Sequence, residues 1–237
     1  MELPRHRALL GVDVIGSARN EGHDLEPVRA AVDGLVRDAL TTAGIFRSDV
    51  VEWESTGDGV LITLPGRKLG AVLDSAHHLD ELVEAHNRER RPDIRLRLAV
   101  ETGPVGPHPG LYAPKISLCR LLNAASFKDL TARCTGMNTA LILSDQAHGA
   151  VFGGDYTRHV RRTQFGPLDI REKEYAATAW VRIPGFDTRH PGPPVSTGTS
   201  AVPEPIGRIS NVVHGSVHGV QAGIVYGGIT LHHSPAP

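Results

Sequence analysis

From Val50 to Leu64 the chain reads VVEWESTGDGVLITL. Val50–Glu54 and Val60–Leu64 are apolar, β-branched runs of strand length. Between them stands Thr56-Gly57-Asp58-Gly59. Asp-Gly between two such runs is a strong hairpin signal, because the turn needs residues that tolerate positive φ. The stretch therefore predicts two antiparallel strands joined by a tight turn, with a carboxylate at the tip.

The flanking segments fix what this hairpin belongs to. Ala8–Ile15 is an apolar run of the right length for a buried strand. Glu26–Gly44 has helical spacing, with Val28, Ala31, Leu35, Val36 and Leu40 on one face, and ends at Gly44. Leu69–Arg90 is a second amphipathic helix, and its His77, His78 and His86 read as solvated histidines that need no metal. Ile94–Glu101 alternates Ile-Arg-Leu-Arg-Leu, a half-exposed strand. Lys115–Ala125 reads as helix, Ala140–Ser144 as a short strand, and a later strand pair is placed near Arg158–Thr163 and Ala177–Ile183. Trp53 and Trp180 read as core. The order is β-α-β-β-α-β with additions, which predicts an α+β, ferredoxin-like sheet with helices.

That order places two carboxylates together. In a β-α-β-β unit the first and third strands are neighbours, so the end of the first lies beside the turn before the third. Asp13 closes the first strand in GVDVIGSA, and Asp58 is the hairpin tip. Two carboxylates so placed can share hard cations such as Mg²⁺. Such cations activate a hydroxyl and neutralise a triphosphate during phosphoryl transfer. Gly16 and Ser17 follow, with backbone N–H groups able to cradle phosphates. Taken singly, each residue has a plainer reading. Asp58 is a turn former, Asp13 a local acceptor, and Arg120 a solvated helix residue or weak surface ion pair.

Taken jointly, these residues resemble the class III nucleotidyl cyclases, the adenylyl and guanylyl cyclase family. The first motif of that family, an apolar strand ending in Asp-apolar-x-Gly, appears as Asp13-Val14-Ile15-Gly16. The hairpin motif appears as Gly57-Asp58-Gly59-Val60-Leu61. A basic strand with a Gly-Pro-Val turn appears as LRLAVETGPVG, with Gly103, Pro104 and Val105. The resemblance spans roughly residues 8–183. It implies Asp13, Val14 and Asp58 as the metal set for Mg²⁺ or Mn²⁺, and a nucleoside triphosphate as ligand. It implies a site at a homodimer interface, to which the second chain brings an Asn and an Arg four apart on a helix. Arg120 fits that Arg, which would stabilise transition-state charge. The position four before it is Ile116 where the family has Asn, and Ile cannot orient a ribose. Glu54, four before Asp58, falls where the family reads the base. A carboxylate accepts from the N1–H and amino group of guanine, which leans the choice to GTP over ATP; the partner position falls near Pro109. Lys173 is a late phosphate contact on the same resemblance.

The chain has 237 residues and a formal net charge of −1, so no basic nucleic-acid surface is indicated. No apolar run makes a signal peptide or membrane span. The only cysteines, Cys119 and Cys134, lack metal spacing and read as reduced and structural, which together predicts the cytoplasm. Pro184–Pro205, rich in Pro, Gly, Ser and Thr, is a linker. The division is thus 1–184 body, 185–205 linker, 206–233 tail motif and 234–237 a disordered end.

The tail, NVVHGSVHGVQAGIVYGGITL from Asn211 to Leu231, is nearly a mirror of itself about Gln221. Gly219 faces Gly223, Val217 faces Val225, Gly215 faces Gly227, and Val213 faces Ile229. From Ile206 onwards the one charge is Arg208. Low charge, β-branched residues and a stackable Gln suit a cross-β ladder. A Gly-rich disordered terminus is the plain alternative. A membrane helix fails on its polar residues, and a metal-binding helix through His214 and His218 fails on its glycines. The pattern resembles the pseudo-palindromic bacterial amyloid-signalling motifs, which are similar to the RIP homotypic interaction motif. The resemblance rests on Asn211, Val213, Gly215, Val217, Gly219, Val220, Gln221, Ala222, Gly223, Val225, Gly227 and Gly228. It implies a receptor-type partner carrying a matching motif, and a setting in immunity or regulated cell death. Three readings follow. The first is a cyclase-like signalling protein gated by tail assembly. The second is a catalytically inactive nucleotide sensor or adaptor that signals by its tail. The third is an active cyclase whose tail is incidental.

Overall fold

The computed structural model describes residues 3–16, 22–106, 112–172 and 175–189. Strand β1 (Arg5–Val14) is central. Ala8, Leu10, Val12 and Val14 point to one face of the sheet, and Leu9, Gly11 and Asp13 to the other. Both faces are covered there, which is why the segment reads as a continuous apolar run. Helix α1 (Gly22–Thr42) begins four residues earlier than its apolar spacing suggested. It turns Val28, Val32, Val36 and Leu40 to the core. It ends in a Schellman pair: Ile45 N–H donates to Leu40 O (2.8 Å) and Gly44 N–H to Thr41 O (2.9 Å). Gly44 there has φ +78°, a conformation glycine adopts without strain.

The hairpin is β2 (Glu52–Ser55) and β3 (Gly59–Pro65), with Gly57 at φ +100° in the turn. Helix α2 (Leu69–Glu89) buries Val72, Leu73, Ala76, Leu79 and Val83 beside α1. Each such side chain, fully buried, contributes about 1.5–3 kcal/mol. Strand β4 (Leu96–Val105) follows, then α3 (Ala113–Asn123), α4 (Ala125–Arg133), β5 (Thr139–Ser144), α5 (Asp145–Phe152), β6 (Gly166–Glu172) and β7 (Tyr175–Arg182).

Among the described residues, seven strands lie in the order β2-β3-β1-β4-β5-β7-β6. The first four form the antiparallel ferredoxin-like unit with α1 and α2 on one face. β5 joins parallel to β4, and the intervening α3 and α4 cover the opposite face. There Leu9, Ala99, Leu118, Leu121, Phe127 and Ile142 form a second core. The α+β, ferredoxin-like expectation holds. Trp53 and Trp180 pack against the first core, and Arg37 lies 3.9 Å over the Trp53 ring. Cys119 and Cys134 are free thiols.

Several elements differ from the sequence reading. Arg158–Thr163 is not a strand. The N–H groups of Arg158 and His159 are spent on the Asp74 carboxylate at 2.8–3.0 Å, so this segment crosses α2 as a loop. The partner of β7 is β6, which starts at Gly166. Helices α4 and α5 were not anticipated, although Ser144 caps α5 by accepting from Ala147 N–H at 3.0 Å. Beyond Pro184 the chain remains packed as far as Thr188, which is buried and donates to Val181 O at 2.8 Å. Among the described residues, no helix is long and apolar enough to cross a membrane.

His148 of α5 is buried, stacked on Trp180 at 4.0 Å between ring centres, with Nε2 lacking a hydrogen-bond partner. Burial pushes its pKa down, and Arg162 adds to the effect. The native state therefore holds a neutral ring. Below about pH 6.5 the unfolded chain takes a proton that the native site refuses. Stability is expected to fall as pH drops from there towards the depressed native value. His148→Phe should flatten part of that slope in urea midpoints measured across the range. His77 and His86, also pushed down by burial, retain their share. An unchanged slope in the variant would assign the acid sensitivity elsewhere.

Candidate active site

Register brings the two carboxylates together. Asp13 pairs with Gly59 on β3 and with Arg97 on β4. Asp58, the residue before Gly59, therefore stands next to Asp13. The close approach depends on glycine. A Cβ at Gly59 would sit 2.0 Å from Val12 O and 3.1 Å from Asp13 Cα. Gly11, on the same face as Asp13, leaves room for Leu118 and Leu122 of α3.

Arg97 is the residue that the sequence reading missed. Its Nε donates to Asp13 Oδ2 at 3.0 Å, and its terminal nitrogen makes a second short contact with the same oxygen. The Ile-Arg-Leu-Arg-Leu alternation carried the signal. It puts Arg97 on the same face as Asp13, directly across the ladder. Asp13 is 18% exposed. Burial pushes its carboxyl up, Arg97 pulls it down as charge and as donor, the Asp58 charge pushes it up, and Lys128 of α4 pulls it down; the net direction is up. The influence of Asp58 and Lys128 marks both as electrostatic neighbours of Asp13. Lys128 also donates to Asn123 Oδ1 at 2.9 Å.

Val14 has its side chain in the core, so only its backbone can face a ligand. Ile15 N–H donates to Arg95 O at 2.8 Å, and Gly16 turns the chain away at φ +81°. Ser17, Lys173 and Pro109 lie outside the described residues, as do Asn211, Val213, Gly215, Val217, Gly219, Gln221, Gly223, Val225 and Gly227 of the tail motif.

Glu54 is on β2, facing α3. Lys115 of α3, whose side chain is 6% exposed, reaches both Glu52 (2.7 Å) and Glu54 (3.6 Å). The carboxylate read as a base selector thus already has a cation beside it. Ile116 and Arg120 share the outward face of α3, one turn apart, with Ile116 37% exposed. Between them Ser117 turns inward and donates to the buried Glu101 at 2.6 Å; Ser144 and Thr102 N–H complete that carboxylate at 2.5 and 2.8 Å. Gly103 lets α3 approach, since a Cβ there would meet Pro114 at 2.6 Å. The structure thus brings Asp13 and Asp58 together and leaves Arg120 facing away from α3's packed side. A cavity of about 380 Å³ opens beside Asp58, lined by Glu26, Arg29, Asp33 and Trp53 among others.

No family model matches the chain, and no curated protein matches it. Solved structures do. The chain is similar to an adenylate/guanylate cyclase/hydrolase from Silicibacter pomeroyi, at 19% identity and a TM-score of 0.54, covering 76% of this chain and 97% of that one. It is similar to the guanylate cyclase domain of RhGC from Catenaria anguillulae, solved in complex with GTP, at 12% identity and a TM-score of 0.52, covering 77% and 98%. A bacterial light-regulated adenylyl cyclase matches at 9% identity and a TM-score of 0.52, covering 76% and 90%. The body therefore has the cyclase-type fold over nearly the whole of those domains.

Proposed function

We propose that the body is a metal-dependent nucleoside triphosphate-binding domain of the class III cyclase type, tethered through the Pro- and Gly-rich stretch that follows Thr188 to a self-assembling tail, 206–233. The observation that carries this reading is the register of Asp13 against Gly59, which sets the carboxylate at the end of β1 beside the one in the turn before β3. The donor set fits a hard cation: an oxygen pair of like charge that already draws in a guanidinium, Arg97. Asp13 and Asp58, with the Val14 backbone, would hold Mg²⁺ or Mn²⁺. When bound, such cations supply charge neutralisation for a triphosphate and activation of a nucleotide hydroxyl.

The chain's own residues account for the rest. Arg97 neutralises Asp13 in the free protein and is positioned to turn to a phosphate once Asp13 is otherwise engaged. Gly16 and Ser17 present backbone N–H groups to phosphate. Glu54 selects guanine after releasing Lys115, and Lys173 adds a late phosphate contact. Arg120 serves the site of a second copy, making a homodimer the working unit. Tail assembly on a receptor's matching motif would raise the local concentration of bodies and favour that dimer. The setting this supports is a cytoplasmic signalling protein of bacterial immunity or regulated cell death.

The test is product analysis. Full-length protein is incubated with ATP or GTP and Mg²⁺ or Mn²⁺, beside an Asp13→Ala, Asp58→Ala variant. A cyclic nucleotide made from GTP and absent from the variant is the expected result. Nucleotide binding without turnover would support the second reading, an inactive sensor or adaptor signalling through its tail. Ile116 and the Lys115–Glu54 pair favour that reading. Neither binding nor turnover would defeat both.

A further inference from the structure

A large cavity lies at the other end of the sheet from Asp13 and Asp58, where His6 of β1 is on its wall. It measures about 710 Å³, and His78 and His159 form part of its wall. There three imidazoles gather. His77 and His78 of α2 are 5.4 Å apart between ring centres, and His159, from the loop after α5, lies 5.3 Å from His77 and 4.7 Å from His78. Glu81, one turn along α2, reaches both: Oε1 is 3.6 Å from His77 Nε2, and Oε2 is 3.5 Å from His78 Nδ1. The histidines of α2 are therefore not the solvated surface residues that the sequence suggested. His77 and His78 are half-buried or more, and His86 lies about two turns away.

We propose that His77, His78 and Glu81, with His159 packed beside them, form a binding site for a borderline transition-metal cation of the Zn²⁺ class. Three lines of geometry carry this. One donor atom from each of His77, His78 and Glu81 can be chosen so that all lie within 4.8 Å of one another. The loop bearing His159 is held in place by the polypeptide itself. Asp74, one turn before His77, accepts the N–H groups of Arg158 and His159. That clasp sets the third imidazole against the other two whether or not a cation is present. Finally, imidazole with one carboxylate suits Zn²⁺ rather than Mg²⁺, which takes oxygen ligands. This site is independent of the nucleotide reading.

The test is Zn²⁺ titration of the full chain by calorimetry in excess Mg²⁺, with Co²⁺ absorption as a check on coordination. His214, His218, His232 and His233 of the tail can bind metal too, so differences between variants are read rather than total stoichiometry. His77→Ala with His78→Ala should lose one equivalent of tight binding and the tetrahedral Co²⁺ spectrum. Glu81→Gln, at an exposed position and safe for folding, removes a ligand and should weaken that class of site by more than the roughly tenfold lost at supporting positions. His159→Ala, which removes only the ring packed beside the ligands, should weaken it about tenfold, and His86→Ala should match the parent chain. Zn²⁺ should also raise the melting temperature of the parent more than that of Glu81→Gln. Equal affinity and equal spectra in the parent, Glu81→Gln and His77→Ala/His78→Ala proteins would overturn the site. Loss with His86→Ala would overturn its assignment.

Discussion

Gly59→Ala is expected to destabilise the body by about 3 kcal/mol, the upper part of the range for forcing a group into filled space. The added Cβ has nowhere to go, since the atom it meets at 2.0 Å is the backbone carbonyl oxygen of Val12 in the central strand. A flexible side chain could swing aside; a ladder carbonyl cannot. Either β3 retreats from β1 or the ladder pairing of Asp13 with Gly59 is given up. In a domain of this size the change corresponds to roughly 6–12 °C in melting temperature. It should also separate Asp58 from Asp13, so Mn²⁺ affinity should fall more than stability alone explains. Thermal melts with and without Mn²⁺ check both. A melting point within a degree of the parent would show that the strand approach tolerates a side chain, and the argument for a glycine-dependent carboxylate pair would fail.

Ile116→Asn is expected to do the opposite for catalysis. Ile116 is exposed on the outward face of α3, one turn before Arg120. With Ile116 37% exposed, replacing it gives up part of an apolar contact and should cost the fold about 1 kcal/mol, typical of a point change. On the proposed reading it restores the polar group that orients the sugar for a partner's site. One preorganised contact of that kind is worth about 10²–10³ in rate. The expected result is a turnover raised by about that factor with the fold unchanged, measured as cyclic product per unit time. The gain should vanish when Asp13→Ala is added. No gain in a well-folded variant would remove Ile116 as the limiting residue and favour the binding-only body.

Much of this was present in the chain as written. The Asp-Gly turn between two β-branched runs marked the hairpin because the physics is local: φ near +100° at Gly57 and alternation on either side. Helix spacing and the Gly44 cap are equally local, and so β-α-β-β-α-β and its sheet order followed. The neighbouring of Asp13 and Asp58 was inferable too, since topology alone puts those strand ends together.

Other features depended on partners distant in sequence. Arg97 is 84 residues from Asp13 and meets it only through antiparallel register. Lys115 lies 63 residues from Glu52, and without that contact Glu54 looks available to a base. Asp74 withdraws Arg158 and His159 from strand pairing and carries His159 to His77 and His78. Periodicity determined which residues could be inside and which backbone conformations were open to them. Only the folded chain decided which charges meet, because a side chain's partner is chosen by register and helix crossing, and neither is written within one turn or one strand.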